Sequence, residues 1–370
     1  MPLLMTNMST TKKHISDKTS KRVFVGLSGG VDSSVSAALL KDQGYEVTGA
    51  YIKTWQPDWL PCTWKEERRD AMRVAARLGI PFVTIDCVEE YKKYVADYMI
   101  SEYKAGRTPN PDVMCNREIK FGSFFRQAQA LGADYIATGH YARSIDGNLY
   151  EGLDTEKDQS YFLWTLLSKD LKNILFPVGH LQKTQVRELA RSYGLRTAEK
   201  KDSQGICFLG DIDMKDFLKH YIDQKEGVVL DTEGNQIGIH TGAWFFTIGE
   251  RHGFTINAKN NNDSPYYVVS KDVEKNTITV SQKNSENILK HATKSVLLDS
   301  VVLRGDIPKN INARVRYRQI PQDCQVEKDG DMLKVIFSKP QEGVSVGQSV
   351  VFYDKQKCLG GGIISTVVLT

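Results

Sequence analysis

The feature that most constrains this chain is an apolar run, Val23-Phe24-Val25, that breaks into Gly26-Leu27-Ser28-Gly29-Gly30-Val31-Asp32-Ser33-Ser34 and resumes as Val35-Ser-Ala-Ala-Leu-Leu40. That order predicts a buried strand, a glycine turn and a helix. Adjacent glycines let backbone N–H groups converge without Cβ obstruction, and the helix adds unpaired donors and its positive dipole end at the same point. Such a place binds phosphate. A Walker A loop ends in Gly-Lys-Ser/Thr, which is absent here. Three hydroxyls (Ser28, Ser33, Ser34) and one carboxylate, Asp32, suit a pyrophosphate with its Mg²⁺, and point to cleavage between the α- and β-phosphates. An ordinary strand-turn-helix connection needs neither the hydroxyls nor the acid.

The following segments alternate. Glu46–Lys53 and Pro81–Asp86 read as strands, Ala71, Val74, Ala75 and Leu78 fall at helical spacing, and Asp134–His140 reads as another strand. Alternation of this kind predicts an α/β fold, a doubly wound parallel sheet with its ligand crevice beyond the carboxyl ends of the strands. Thr54–Thr63, rich in Pro and Trp, reads as a mobile loop over that crevice. Gly147–Leu153 reads as a hairpin arm. From about Gly227 the helical period disappears. Tyr266–Ser270 and Thr277–Ser281 form a predicted hairpin, and strands at 296–303, 311–317, 333–337, 349–353 and 361–366 suggest a C-terminal β-barrel. The expected division is therefore a disordered tail over 1–20, a nucleotide-binding catalytic domain over 21–215, a small central β-rich domain over 216–285 and the barrel over 286–370.

With 370 residues, 41% apolar and 25% charged, the chain can bury a sizeable core. No stretch is long and apolar enough to span a membrane, and the opening residues lack a signal-peptide core. The net charge of +4 is only mildly basic, so a nucleic-acid partner must be argued from local patches. Six cysteines without a Cys-x-x-Cys pair argue against zinc and for a reducing, cytoplasmic setting.

Two cysteines stand apart. Cys115 falls three residues after Asp112 in a segment whose prolines and asparagines argue against helix, and Cys207 falls in a Gly-containing loop rich in Lys, Asp and Ser. Lys200, Lys201 and Arg117 are the neighbouring cations in sequence, able to lower a thiol pKa if the fold brings them close. The alternative is that each cysteine is small, packed and inert. That reading is taken for Cys87, Cys324 and Cys358, while Cys62 stays open. Asp112 can equally be an Asx-turn residue, and His140 a packed histidine.

Gly26–Ser34 resembles the PP-loop of the ATP pyrophosphatases, and six motifs together resemble the tRNA-specific 2-thiouridylase family over residues 22–366. They are Gly26-Leu-Ser-Gly-Gly-Val-Asp-Ser33, Gly106-Arg-Thr-Pro-Asn-Pro-Asp-Val-Met-Cys-Asn116, Ala137-Thr-Gly-His-Tyr141, Lys157-Asp-Gln-Ser-Tyr-Phe162, Asp202-Ser-Gln-Gly-Ile-Cys-Phe208 and Cys358-Leu-Gly-Gly-Gly362. The resemblance implies ATP-dependent 2-thiolation of uridine at tRNA position 34. In that scheme the C2 oxygen is adenylated, and Cys207 carries a persulfide from a cysteine desulfurase or relay protein. Cys115 assists release, leaving a Cys115–Cys207 disulfide, and Asp112 is the acid/base or orients the base. ATP is expected on Gly26 to Ser33, Ile52 and Gly139, with Mg²⁺ on Asp32. Contacts to tRNA are expected from Asn110, Pro111, Asp112, His140, Lys157, Asp158, Gln159, Arg316, Tyr317 and Gln348, and the tRNAs are those of the Lys, Glu and Gln type. Two positions depart from the family's habit: Ile52 where methionine is common, and Gln204 where threonine is.

Between 301 and 320, Arg304, Lys309, Arg314, Arg316 and Arg318 stand against Asp306 alone. The alternation in Ala313-Arg-Val-Arg-Tyr-Arg318 would put three arginines on one face of a strand, where they could grip RNA phosphates or simply coat the barrel. Two other functions compete with the first: a PP-loop ligase or amidotransferase acting on a small metabolite, and a nucleotide-gated RNA-binding protein without chemistry. Neither needs Cys115 or Cys207.

Overall fold

The computed structural model describes residues 21–201, 207–210, 212–257, 264–282 and 292–369. The expected tail over 1–20 lies outside them, as do residues 202–206 of the second cysteine motif, Gln204 included. Among the described residues no helix is long and apolar enough to cross a membrane.

The first part of the chain contributes strands β1 (Arg22–Gly26), β2 (Glu46–Lys53), β3 (Phe82–Asp86), β4 (Tyr135–Ala137), β5 (Ala142–Ile145), β6 (Asn148–Glu151) and β7 (Ile174–Leu175). Five of them form a wholly parallel sheet in the order β3-β2-β1-β4-β7. The chain winds outward from β1 to β3 and then returns to β4 on the other side of β1. The reversal opens a crevice at the carboxyl ends of β1 and β4. Gly26–Ser34 follows β1, and Thr138-Gly139-His140 follows β4.

Helices Val31–Asp42, Trp64–Leu78 and Lys183–Ser192 cover one face of the sheet, burying Val35, Ala38, Val74, Ala75, Val186 and Ala190 beside Val23 and Val25. The helical stretches 88–104 and 111–130 cover the other with Met99, Phe124, Phe125 and Ala128. Each burial of a side chain the size of Phe124 stabilises the layer by about 2 kcal/mol.

The structure corrects one local reading. Residues 111–114 are helical, not a Pro-broken loop, and the helix continues unbroken to Ala130. Asn110 accepts the Val113 N–H through its side chain at 3.2 Å and Pro111 occupies the first helical position. An Asn cap followed by Pro is a helix start, because proline lacks only an N–H that would be unpaired there anyway.

Strands β8 (Gly227–Leu230), β9 (Gln236–His240), β10 (Phe254–Ile256), β11 (Tyr266–Asp272) and β12 (Thr277–Gln282) form the central sheet, in the order β10-β9-β8-β12-β11, and β11–β12 is the expected hairpin. The last sheet contains β13 (Thr293–Leu303), β14 (Asn310–Arg314), β15 (Gln322–Asp329), β16 (Met332–Gln341), β17 (Ser349–Asp354) and β18 (Lys357–Leu369). Pairing of β13 with β18 closes these six into a barrel. The β5–β6 hairpin from the first part of the chain joins its rim through Leu149 opposite Cys358. Arg304, 7% exposed, ties the barrel back to the first part of the chain: its guanidinium donates to the carbonyls of Trp164, Leu166 and Cys358.

The arginine stripe does not form. β14 ends at Arg314, and Arg318 adopts a positive φ of 62° in the turn that follows.

Candidate active site

The nucleotide end of the crevice is built from backbone. Gly29 has φ 70°, and a Cβ there would lie 2.8 Å from Asp70 Cβ, so only glycine fits. Ser28 Oγ accepts the Gly30 N–H at 3.3 Å and lies 3.3 Å from Ser33 Oγ, and the Ser34 hydroxyl donates to the Gly30 carbonyl at 2.6 Å. Leu27 and Val31 are buried beneath the turn, and Ile52 is buried beside Gly26. Gly139 closes the opposite wall, where a Cβ would meet Ser33 N at 2.6 Å. The two strand ends are thus in contact at the first turn of the helix.

Sequence reasoning missed the cation here. Lys183 Nζ lies 2.8 Å from both carboxylate oxygens of Asp32, and the Tyr141 hydroxyl donates to Asp32 Oδ1 at 2.8 Å. The signal was a lysine at the start of an amphipathic helix, of which only the apolar stripe was read. Lys200 also belongs here and not to the thiols: it donates to the Gly29 carbonyl at 3.2 Å and to Asp70 at 3.0 Å. Arg117 pairs with Glu118 at 2.7 Å.

At the other end, Cys115 Sγ donates to Cys207 Sγ across 3.3 Å. Both are free thiols, as are all six cysteines, so the disulfide implied by resemblance is not formed. Cys115 is fully buried on the helix begun by Asn110 and Pro111, one turn after Asp112. The Asp112 carboxylate faces the Cys207 backbone N–H, and the Tyr91 hydroxyl donates to the Cys207 carbonyl at 2.6 Å. Lys120, also missed from sequence, brings its charge to bear on both sulfurs. Phe208 completes the wall at a positive φ of 67°, with Lys120 Nζ 5.6 Å from its ring centre.

These contacts divide the two thiols. The S–H bond from Cys115, with the charge of Lys120, holds the Cys207 pKa below the usual thiol value against the opposing effect of burial. Burial pushes the Cys115 thiol well up. Asp112 is raised by burial, with Lys120 and the Cys207 N–H pulling it back. Burial alone would depress Lys120, but the two sulfurs and Asp112 reverse that, so the ammonium keeps its proton. His140, against Phe121 and Phe176, is held well below the histidine range by burial and by Lys120, and its Nδ1 meets Thr138 Oγ1 at 2.7 Å. It is a neutral imidazole.

Gly139 touching Ser33 and His140 touching Phe121 join the two ends through consecutive residues. The barrel reaches the same place, since Thr108 N–H donates to the Val346 carbonyl at 2.8 Å, two residues before Asn110. Gln348 lies two residues beyond Val346, its Oε1 buried and without a hydrogen-bond partner among the described residues.

The other residues expected to contact tRNA are placed unevenly. Lys157, Asp158 and Tyr317 line an open cleft of about 410 Å³ with Arg314 and Arg318. Asp158 is turned inward, accepting from the Gly152 and Ser160 N–H groups and pairing with Arg314 at 3.2 Å. Gln159 Oε1 accepts the Tyr141 N–H at 3.0 Å. Arg316 donates to the carbonyls of Ile248 and Gly343, which binds the central sheet to the barrel. Arg314 is taken up by Glu151 and Asp158. The Thr54–Thr63 loop is anchored, with Trp59 stacked on His220 at 3.6 Å and Gln56 donating to the Phe208 carbonyl. Cys62 on it is exposed, and the remaining cysteines, 87, 324 and 358, are buried as expected.

A glycine loop and helix terminus at the switch point of a parallel sheet, followed by two β-domains, define a nucleotide-binding α/β enzyme of the HUP type. Three family models match in that order: the tRNA methyl transferase HUP domain over 21–211, the tRNA methyl transferase PRC-barrel domain over 215–282, and the aminomethyltransferase beta-barrel domain over 296–364. The tRNA-specific 2-thiouridylase MnmA of Pseudomonas paraeruginosa is 47% identical over 94% of this chain and 95% of its own length. Its counterpart from Streptococcus mutans is 44% identical over 95% of this chain and 96% of its own. The chain belongs to the tRNA-specific 2-thiouridylase family.

Proposed function

We propose that this chain is an ATP-dependent sulfurtransferase that exchanges the C2 oxygen of uridine 34 in tRNA for sulfur. The observation that carries this reading is the meeting of Cys115 and Cys207 at 3.3 Å, close to an adenylating loop. A ligase acting on a small metabolite has no use for such a pair.

A carbonyl oxygen leaves poorly. Transfer of AMP to it converts the departing group to a phosphate ester, with pyrophosphate released at the helix terminus. The N–H groups around Gly29 and Gly30, and the Lys183 ammonium, stand where that charge separates. One carboxylate flanked by phosphates is how Mg²⁺ is commonly held, and Asp32 would take that role once Lys183, which occupies both of its oxygens, turns to the phosphates. Mg²⁺ so bound supplies charge neutralisation to the phosphates.

Cys207, as the thiolate, accepts sulfane sulfur from a cysteine desulfurase or relay protein. Once the persulfide has attacked C2 and AMP has left, the outer sulfur bridges Cys207 and C2. Cys115 then gives up its proton to Asp112 and attacks Cys207 Sγ, and the bond from Cys207 to the outer sulfur breaks with its electron pair going to the sulfur on C2. A Cys115–Cys207 disulfide is left for external reduction. Asp112, buried and raised, is suited to hold the uracil N3–H or move a proton. A stacked anticodon base hides C2, so the uridine is extruded into the crevice, where Asn110, Pro111, His140 and Gln348 line its path and Lys157 and Tyr317 hold the adjoining RNA. Substrates are tRNAs of the Lys, Glu and Gln type, and the setting is cytoplasmic. Incubation with unmodified tRNA, ATP and a persulfide donor, followed by mass spectrometry of the anticodon nucleosides, should yield 2-thiouridine; its absence with active tRNA acceptors overturns the reading.

A further inference from the structure

Lys120 is a charged residue that the two-cysteine scheme does not use. It lies on the helical stretch Cys115–Ser123, whose hydrogen bonds run in the π pattern, from residue i to i+5. In a regular α-helix, a residue five positions on is rotated roughly 140° from the first and faces elsewhere. The wider π turn brings positions five apart together, and such insertions collect at functional sites. Here it sets Lys120 beside Cys115 on the face that Cys207 meets.

We propose that Lys120 makes Cys207, and not Cys115, the sulfur acceptor, by hydrogen-bonding the Cys207 sulfur as a thiolate and then as a persulfide anion. The inference rests on the sulfurtransferase reading above. In the loading step the Cys207 thiolate attacks the outer sulfur of a persulfide R–S–SH. The Cys207 S–S bond forms, the donor's S–S bond breaks, and R–S⁻ leaves with the electron pair and takes the proton of the outer sulfur, giving R–SH and the Cys207 persulfide anion. No external oxidant or reductant is needed, and one anion replaces another opposite the same ammonium.

Cys115 donates its S–H to Cys207, and Tyr91 is a phenol held protonated by burial that donates to the Cys207 carbonyl. Asp112 faces the Cys207 N–H, and its charge opposes the thiolate that Lys120 favours. His140 is neutral. Among the described residues Lys120 is therefore the fixed positive charge at the pair, while Lys200 is engaged with Gly29 and Asp70 and Arg117 with Glu118.

The test uses the full-length protein and needs no tRNA. Alkylation of the Cys207 peptide by iodoacetamide is followed by mass spectrometry across pH, for the native protein, Lys120→Met and Lys120→Arg. In Lys120→Met the Cys207 profile should move up by about one pH unit, slowing alkylation about tenfold at neutral pH, and Lys120→Arg should restore it. Loading from a small-molecule persulfide, read as one added sulfur on the Cys207 peptide, should slow in parallel. Melting curves and ATP binding report whether each variant is folded. An unmoved profile in folded Lys120→Met, or failure of Lys120→Arg to restore it while folded, overturns the proposal. Absence of tRNA thiolation by the native protein would overturn the functional reading and leave the alkylation result standing.

Discussion

Asp32 and Lys183 meet across the crevice mouth, with the ammonium 2.8 Å from each carboxylate oxygen, although 151 residues separate them in the chain. Asp32 sits on the first turn of the helix that follows the glycine loop and Lys183 at the start of another, so the Asp32 carboxylate beside the loop is neutralised. Because Lys183 is only 12% exposed, the contact is screened less than a surface ion pair.

From this follows the first expectation. Lys183→Met should slow release of pyrophosphate from ATP in the presence of tRNA by about a hundredfold, the scale on which loss of one electrostatic stabiliser is felt. Stability should fall by about 1–3 kcal/mol, between the cost of breaking an exposed pair and a buried one. Pyrophosphate release and a melting curve on the same preparation check both.

Gly139 admits no side chain. Gly139→Ala would drive a Cβ to 2.6 Å from Ser33 N and 2.9 Å from Asp32 Cβ, both at the start of the helix. The expected result is a loss of about 1–3 kcal/mol in stability together with weakened nucleotide binding, measured by denaturant unfolding and by ATP titration.

His140 gives the fold a dependence on acid. Its pKa is depressed in the folded state, so the unfolded chain binds the extra proton; stability is fully present above the ordinary histidine value and falls as pH drops below about 6.5. One such proton gives a slope of about 1.4 kcal/mol per pH unit. His240 is depressed by burial too, so His140→Gln should remove part of the slope between pH 6.5 and 5, and unfolding measured across that range shows how much.

Arg304 joins the barrel to the first part of the chain through the carbonyls of Trp164 and Leu166, and also donates to the barrel's own Cys358 carbonyl. Arg304→Met leaves those acceptors buried without donors and should destabilise by about 3 kcal/mol. A lowered melting temperature with an unchanged Cys207 alkylation profile is the expected outcome.

Much of this was legible in the sequence wherever local chemistry and local structure coincide. The strand, glycine turn and helix at Gly26–Ser34 follow from steric freedom and apolar pattern, and the parallel sheet from alternation. Cys115 and Cys207 stood out by context. What was hidden depends on contacts over distance. Lys120 shares with Cys115 a stretch where the helix is locally widened, and spacing read at 3.6 residues per turn places the two on different faces. Asn110-Pro111 contains the same residues that break helices and that begin them, and only position decides. Strand β15 buries little beyond Cys324, so its pattern is that of an exposed polar segment. The arginines after Ala313 alternate as a strand should, yet Arg314 is drawn into an ion pair with Glu151 and Asp158, and the chain turns immediately afterwards.

The central claim is that sulfur passes through Cys207 to an adenylated uridine. The most direct measurement loads Cys207 with heavy-isotope sulfane sulfur, removes free donor and adds tRNA with ATP for a single turnover. The heavy isotope should appear in 2-thiouridine in step with AMP, and Cys207→Ser should bind tRNA while forming none. Label retained on Cys207 while 2-thiouridine accumulates unlabelled, or undiminished product from Cys207→Ser, would contradict the account.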